Sequence, residues 1–145
     1  MICNDRGIAL IKKYERCPLK AYLDPVGIPT IGWGHTGPEV HLGLLWTQQQ
    51  ADDAFLQDLL HKAEIPLNSM LAGFDLSDNQ YSALCSLVYN IGSGAFRSST
   101  LLADIHSGNL DDVPAQFLRW DKASGVVLAG LEARRQAESD LWCLS

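Results

Sequence analysis

Glu15-Arg16-Cys17-Pro18-Leu19-Lys20-Ala21-Tyr22-Leu23-Asp24-Pro25-Val26-Gly27-Ile28-Pro29-Thr30-Ile31-Gly32-Trp33-Gly34-His35-Thr36 is the stretch on which the fold turns. From Ala21 onward, Pro25, Gly27, Pro29, Gly32, Gly34 and Gly37 punctuate β-branched and aromatic residues, the pattern of a small sheet and not of a helix. Asp24-Pro25-Val26-Gly27 has Asp, Pro and Gly at the first, second and fourth positions of a type I turn, so a hairpin is expected there. Strand alternation beyond the turn puts Ile28 and Thr30 on one side, and Pro29, Ile31 and Trp33 on the other. Upstream, Asn4 or Asp5 caps a short helix from Asp5 to Tyr14, in which Ile8, Leu10, Ile11 and Tyr14 recur at helical spacing; Pro18 ends it.

Downstream the period changes to that of a helix. Thr47-Gln48-Gln49-Gln50 is a capping box, followed by an apolar stripe of Ala51, Ala54, Phe55, Leu59 and Ala63, with Pro66 as a stop or interruption. This linking helix, about 47–65, joins a sheet-bearing lobe (about 14–50) to a helical lobe (about 66–145, with the N-terminal helix). A second box, Ser77-Asp78-Asn79-Gln80, opens a helix with a broad apolar face of Tyr81, Leu84, Cys85, Leu87, Val88 and Ile91, which Gly92 and Gly94 terminate. Further helices are expected from about Ser99 to His106, Asp112 to Trp120 and Leu131 to Leu144, making the second half all helix. The fold class is α+β, mostly α, in a single domain spanning 1–145.

Composition narrows the possible functions. At 145 residues, with 47% hydrophobic and 19% charged residues, the chain can bury a core without metal or disulfide, and disordered, collagen and coiled-coil classes are excluded. The uncharged run Asn79–Phe96 is too polar to span a bilayer, so no stable membrane association is expected. The N-terminus lacks a basic region followed by a long apolar run, so no signal peptide is read and folding in a bacterial cytoplasm is expected. Cys3, Cys17, Cys85 and Cys143 are scattered and are read as free thiols. Neither they nor His35, His41, His61 and His106 form the close pairs of zinc sites, so no metal or other cofactor is expected. The net charge of −6 divides into +1 over residues 1–46 (five basic, four acidic), −7 over 47–112 (two basic, nine acidic) and 0 over 113–145 (four of each). The absence of a basic stripe argues against nucleic acid as a partner.

Glu15 at a helix end and Asp24 at a hairpin turn, nine residues apart, could face each other across a cleft. Spacing alone does not separate such a pair from solvated surface acids. The whole run, however, closely resembles the active-site signature of the phage-type lysozymes, the endolysins of glycoside hydrolase family 24. That signature is a Glu, eight residues, an Asp, five residues, and a Thr inside Thr-Ile-Gly-aromatic-Gly-His-Thr, and all three fall in register here. Later blocks are similar in the same order: Asn79-Gln80-Tyr81, Tyr89-Asn90-Ile91-Gly92, Ala95-Phe96, Ser99-Thr100-Leu101-Leu102, Phe117-Leu118-Arg119-Trp120, and Arg134-Arg135 through Leu141-Trp142. The departures are local: Arg16 stands where members often have Gly, with Cys17 beside it.

The resemblance implies a lysozyme-like fold and an endolysin-type muramidase. Its partner would be peptidoglycan, cut at the β-1,4 bond between N-acetylmuramic acid and N-acetylglucosamine. Glu15 would protonate the leaving oxygen, Asp24 would stabilise positive charge on the sugar or activate water, and Thr30 would orient that water or the substrate. An inverting course would place the two carboxyl groups roughly 6.5–9.5 Å apart. Thr36, Tyr89 and Ser99 carry over as groove residues. A monomer, reaching the wall through a holin lesion, completes the expectation. The rivals are a lytic transglycosylase on the same polymer and an inactive binding module. An anionic wall would be repelled by the acidic middle segment. His35 reads as structural, with Asp58 as a mate; Trp33, Tyr89 and Trp120 as core; Arg134-Arg135 as a solvated helix face, with a salt bridge near the site as the alternative; and Gly92-Ser93-Gly94 as a helix terminus and turn.

Overall fold

Side-chain caps fix where the main helices begin. In a computed structural model, which describes residues 1–123 and 125–144, the Asn4 side chain accepts the Gly7 N–H and starts α1 (Asp5–Tyr14). Thr47 and Gln50 exchange hydrogen bonds at the start of α2 (Gln48–Leu59), and Ser77 and Gln80 do the same for α4 (Asp78–Ile91). Between α1 and α2 lie β1 (Tyr22–Leu23) and β2 (Pro29–Thr30), paired antiparallel with Tyr22 opposite Thr30 and Leu23 opposite Pro29. The ribbon continues past these strands: Ala21 N–H donates to the Leu44 carbonyl (3.0 Å) and Trp46 N–H to the Leu19 carbonyl (2.8 Å). This lobe has its own small core of Ala21, Ile31 and Val40, with Leu44 and Trp46 packed against it.

The larger core lies around α4, in which every residue from Tyr81 to Tyr89 is buried. A helix buried on all sides must be enclosed by others, and α1 and α8 (Ala129–Cys143) pack against it. Gly7 permits the α1–α4 crossing: a Cβ there would stand 2.5 Å from Cys3 Sγ and 2.7 Å from Ser82 Cβ. The remaining helices are α3 (Ile65–Met70), α5 (Ser93–Arg97), α6 (Thr100–His106) and α7 (Val113–Phe117). All four cysteines are free thiols, Cys3 and Cys85 in the core, Cys17 half-buried and Cys143 exposed.

Several expectations are corrected. Of the two readings of Pro66, the stop is wrong and the interruption holds. Proline offers no N–H to the carbonyl four residues back, and the chain adapts one turn earlier: Leu60–Glu64 is π-helical, with Ile65 N–H reaching the Leu60 carbonyl, and Pro66 falls in the first turn of α3. Gly92, at φ +89, ends α4 as expected, but Gly94 lies inside α5. The Asp112–Trp120 helix shrinks to α7, preceded by a 3-10 turn at Leu110–Asp112. The second half is not all helix: β3 (Lys122–Ala123) and β4 (Val126–Val127) form a second antiparallel pair ahead of α8. Alternation in the first hairpin also fails past Thr30. Thr30 and Ile31 are both buried, because the chain leaves the strand for a tight turn closed by the mutual backbone bonds of Ile31 and His35 (2.9 and 2.8 Å).

Candidate active site

Helix α1 ends where Glu15 turns to extended backbone (φ −90, ψ 115) while its N–H still bonds the Ile11 carbonyl. Its side chain therefore leaves the helix end toward the sheet lobe, 21% exposed. Arg134 of α8 donates from Nη1 to Glu15 Oε1 at 2.9 Å and from Nη2 to the Ser86 carbonyl at 3.1 Å. On the other side, Glu15 Oε2 faces Gly34, where a Cβ would approach to 3.0 Å. Gly34 is at φ +87, so close approach and backbone conformation both favour glycine. Beside Glu15 opens a depression of about 340 Å³, walled by Tyr14, Asn90, Leu128 and Leu131.

The grip on Glu15 is backed by a buried charge network. Expected on a solvated face, Arg134 and Arg135 are in fact buried, and Glu138, one turn along, is fully buried between them. Glu138 Oε2 accepts from Ser86 Oγ at 2.5 Å and lies 3.4 Å from Arg134 Nε, while Oε1 accepts from Arg135 Nη1. Arg135 also donates to the Trp120 carbonyl (2.8 Å) and to Asn90 Oδ1. Burial pushes the Glu138 carboxyl above its ordinary value against the pull of both guanidiniums. Two hydrogen bonds and one ion pair thus meet this carboxylate, while the buried Arg134 Nε itself makes no hydrogen bond.

Asp24 is held quite differently. Its carbonyl accepts the Gly27 N–H (2.9 Å), closing the expected turn, and its Oδ1 accepts the N–H groups of Val26 (3.0 Å) and Ile28 (2.8 Å). Gly27, at φ +86, supplies the left-handed residue that follows a type I turn in a three-residue hairpin loop. Thr30 is 5% exposed, and its hydroxyl donates to the Ile28 carbonyl at 2.9 Å. Tyr22, opposite Thr30, has its phenol raised above the ordinary value by partial burial, then by the negative charges of Glu15 and Asp24, against the pull of Arg16. One phenol thus feels both carboxylates.

The other candidates divide. Tyr89 is buried, and its hydroxyl donates to the Trp33 carbonyl at 2.6 Å, tying the turn after β2 to α4. Trp33 donates to Asp52 Oδ1 at 2.9 Å and meets Phe55 edge-on. His35 bonds a carboxylate at each ring nitrogen, Asp58 of α2 at Nδ1 (2.8 Å) and Glu39 at Nε2 (2.6 Å), and so straps the sheet lobe to the linking helix. Thr36 follows it, half-buried. Ser99 lies at the start of α6. It is the N-cap of α6, accepting the Leu102 N–H and donating to the Phe96 carbonyl, beside a separate depression with Met70, Arg97 and His106. Sequence reasoning missed Tyr22, Asp52 and the Glu138 network; Glu138 at helical spacing from Arg134 and Arg135, four and three residues on, was the available signal. Among the described residues no His, Cys, Asp or Glu cluster has the geometry to hold a metal ion, and no helix is long and apolar enough to cross a membrane.

A small sheet-bearing lobe joined by α2 to a helical lobe defines a lysozyme-like α+β fold. The phage lysozyme family profile matches residues 12–138. The chain is 41% identical to the endolysin of Acyrthosiphon pisum secondary endosymbiont phage 1, covering 98% of both chains. It is 37% identical to the SAR-endolysin of Bacteriophage PS119, over 86% of this chain and 73% of that one. A crystal structure of a P22 lysozyme mutant superposes with a TM-score of 0.85 at 37% identity, over 99% of each chain. The chain spans about half the length of two Bacillus phage endolysins that it also matches (55% and 54%). It belongs to the phage lysozyme family. It is accordingly a glycoside hydrolase, an endolysin-type muramidase whose polymer is peptidoglycan.

Proposed function

We propose that Glu15 is the general acid and that Asp24 and Thr30 manage the attacking water. The observation that carries this reading is the hold on Glu15: one carboxyl oxygen is gripped by a buried arginine at 2.9 Å while the group stays partly exposed beside a depression. A proton donor needs a fixed position beside the leaving oxygen. Glu15 passes its proton to the glycosidic oxygen between N-acetylmuramic acid and N-acetylglucosamine. Asp24, with Oδ1 committed to its own turn, offers Oδ2 to a water on the opposite face of the sugar. Because the Thr30 hydroxyl already donates to the Ile28 carbonyl, it serves that water as an acceptor. The course is inverting, with roughly 6.5–9.5 Å between the carboxyl groups to admit the water.

NMR of freshly cut peptidoglycan tests the reaction course. Inversion gives the α-anomer first, with no anhydro-sugar ends. Initial β-anomer would indicate a double displacement, and anhydro ends a transglycosylase. The chain acts as a monomer made in the bacterial cytoplasm and reaches the wall through a holin lesion. Induced expression with and without a holin checks this: lysis without the lesion would contradict it.

A further inference from the structure

We infer that Tyr22 is a further substrate-contacting residue, its phenol donating a hydrogen bond to the glycan where the chain passes between Glu15 and Asp24. The strand register carries the placement. Tyr22 pairs directly with Thr30 in the antiparallel hairpin, and directly opposed residues project from the same face, with Cβ atoms about 4.5–5.5 Å apart. The side chain is 39% exposed, and its hydroxyl has no hydrogen-bond partner among the described residues. Its neighbours in the site are already committed: Thr30 donates to Ile28, Tyr89 to Trp33 and the Trp33 indole to Asp52. A partly exposed aromatic side chain held on a two-stranded ribbon opposite Thr30, with an uncommitted donor, is suited to a ligand rich in acceptor oxygens.

Electrostatics fix the role further. Partial burial first, and then the charges of Glu15 and Asp24, disfavour the phenolate, and Arg16 opposes them. Tyr22 therefore keeps its proton through the neutral range and acts as a donor, not a base. It orients the sugar so that the scissile bond lies within reach of Glu15. The inference rests on the proposed roles of Glu15 and Asp24.

Tyr22→Phe, which keeps the ring and removes the hydroxyl, separates orientation from packing. Activity on purified peptidoglycan should fall about tenfold, the scale of one lost hydrogen bond, with the loss mainly in kcat and the melting temperature unchanged. Full activity in Tyr22→Phe, a loss confined to KM, or a loss that tracks a lower melting temperature would each overturn the inference. Glu15→Gln run alongside separates the two claims. An inactive Glu15→Gln with a fully active Tyr22→Phe removes Tyr22 alone, whereas an active Glu15→Gln removes the underlying reading.

Discussion

The helix end that carries Glu15 and the hairpin that carries Asp24 hold their carboxyl groups by different means. Glu15 is gripped by Arg134, 119 residues away in sequence, which is itself seated among Ser86, Glu138 and the start of the Arg135 network. Asp24 is fixed by N–H groups two and four residues ahead of it, inside one turn. The first arrangement ties the proposed acid to the helical core, so its position and the stability of the fold depend on the same buried charges. The second leaves its carboxylate on an exposed ribbon, where geometry is local and little else depends on it. A water-activating group tolerates such a perch better than a proton donor that must meet a leaving oxygen.

Perturbing each side should break this contrast or confirm it, and the largest effect belongs to the helical side. Glu138→Gln removes the charge between two buried guanidiniums, and breaking a buried pair in this way costs about 3–5 kcal/mol. Denaturant unfolding should show that loss, with activity falling in parallel as Arg134 shifts. A loss under about 1 kcal/mol would mean that the network is not what seats Arg134.

A smaller effect is expected at the strap between the lobes. Burial acts to lower the His35 pKa, but its hydrogen bonds to Glu39 and Asp58 outweigh this and raise it above the ordinary value. A folded pKa above the unfolded one gives stability that is fully present below about pH 6.5 and is lost as pH rises through the folded value. His35→Gln should therefore be less stable than wild type by about 1 kcal/mol, after solvent screening, near pH 6. The deficit should shrink toward pH 9; one that does not change with pH would contradict the charge assignment. The smallest stability effect is predicted for Asp24→Asn, because the amide oxygen can still accept from Val26 and Ile28. Stability should stay within about 0.5 kcal/mol while activity drops about a hundredfold or more. A melting temperature that fell with activity would erase the contrast.

How far each region can be read from sequence follows the same division. The Asp24 turn, the Asn4, Thr47 and Ser77 caps and the glycine stop at Gly92 are local, and residues within a few positions determine them. The Arg134–Glu138–Arg135 network was illegible because charges at helical spacing look alike on a solvated face and in a core; only the packing of α4 against α8 decides. The strands β3 and β4 were overlooked although Gly125 followed by Val126 and Val127 is a turn and strand signal, since two residues per strand leave no period to detect. Pro66 reads as a breaker, and only the π-helical turn before it reveals how the helix passes through. Tyr22 lies within the signature, but nothing in the sequence marks it, because its position depends on the strand register opposite Thr30.

The most direct test of the account is the activity of Glu15→Gln on purified peptidoglycan, read beside its melting curve. Gln keeps an oxygen that can accept from Arg134 but has no proton to give. Lysis should fall about a thousandfold or more while the protein remains folded, with a single cooperative transition. A folded Glu15→Gln that retains wild-type activity would contradict the claim that Glu15 is the acid.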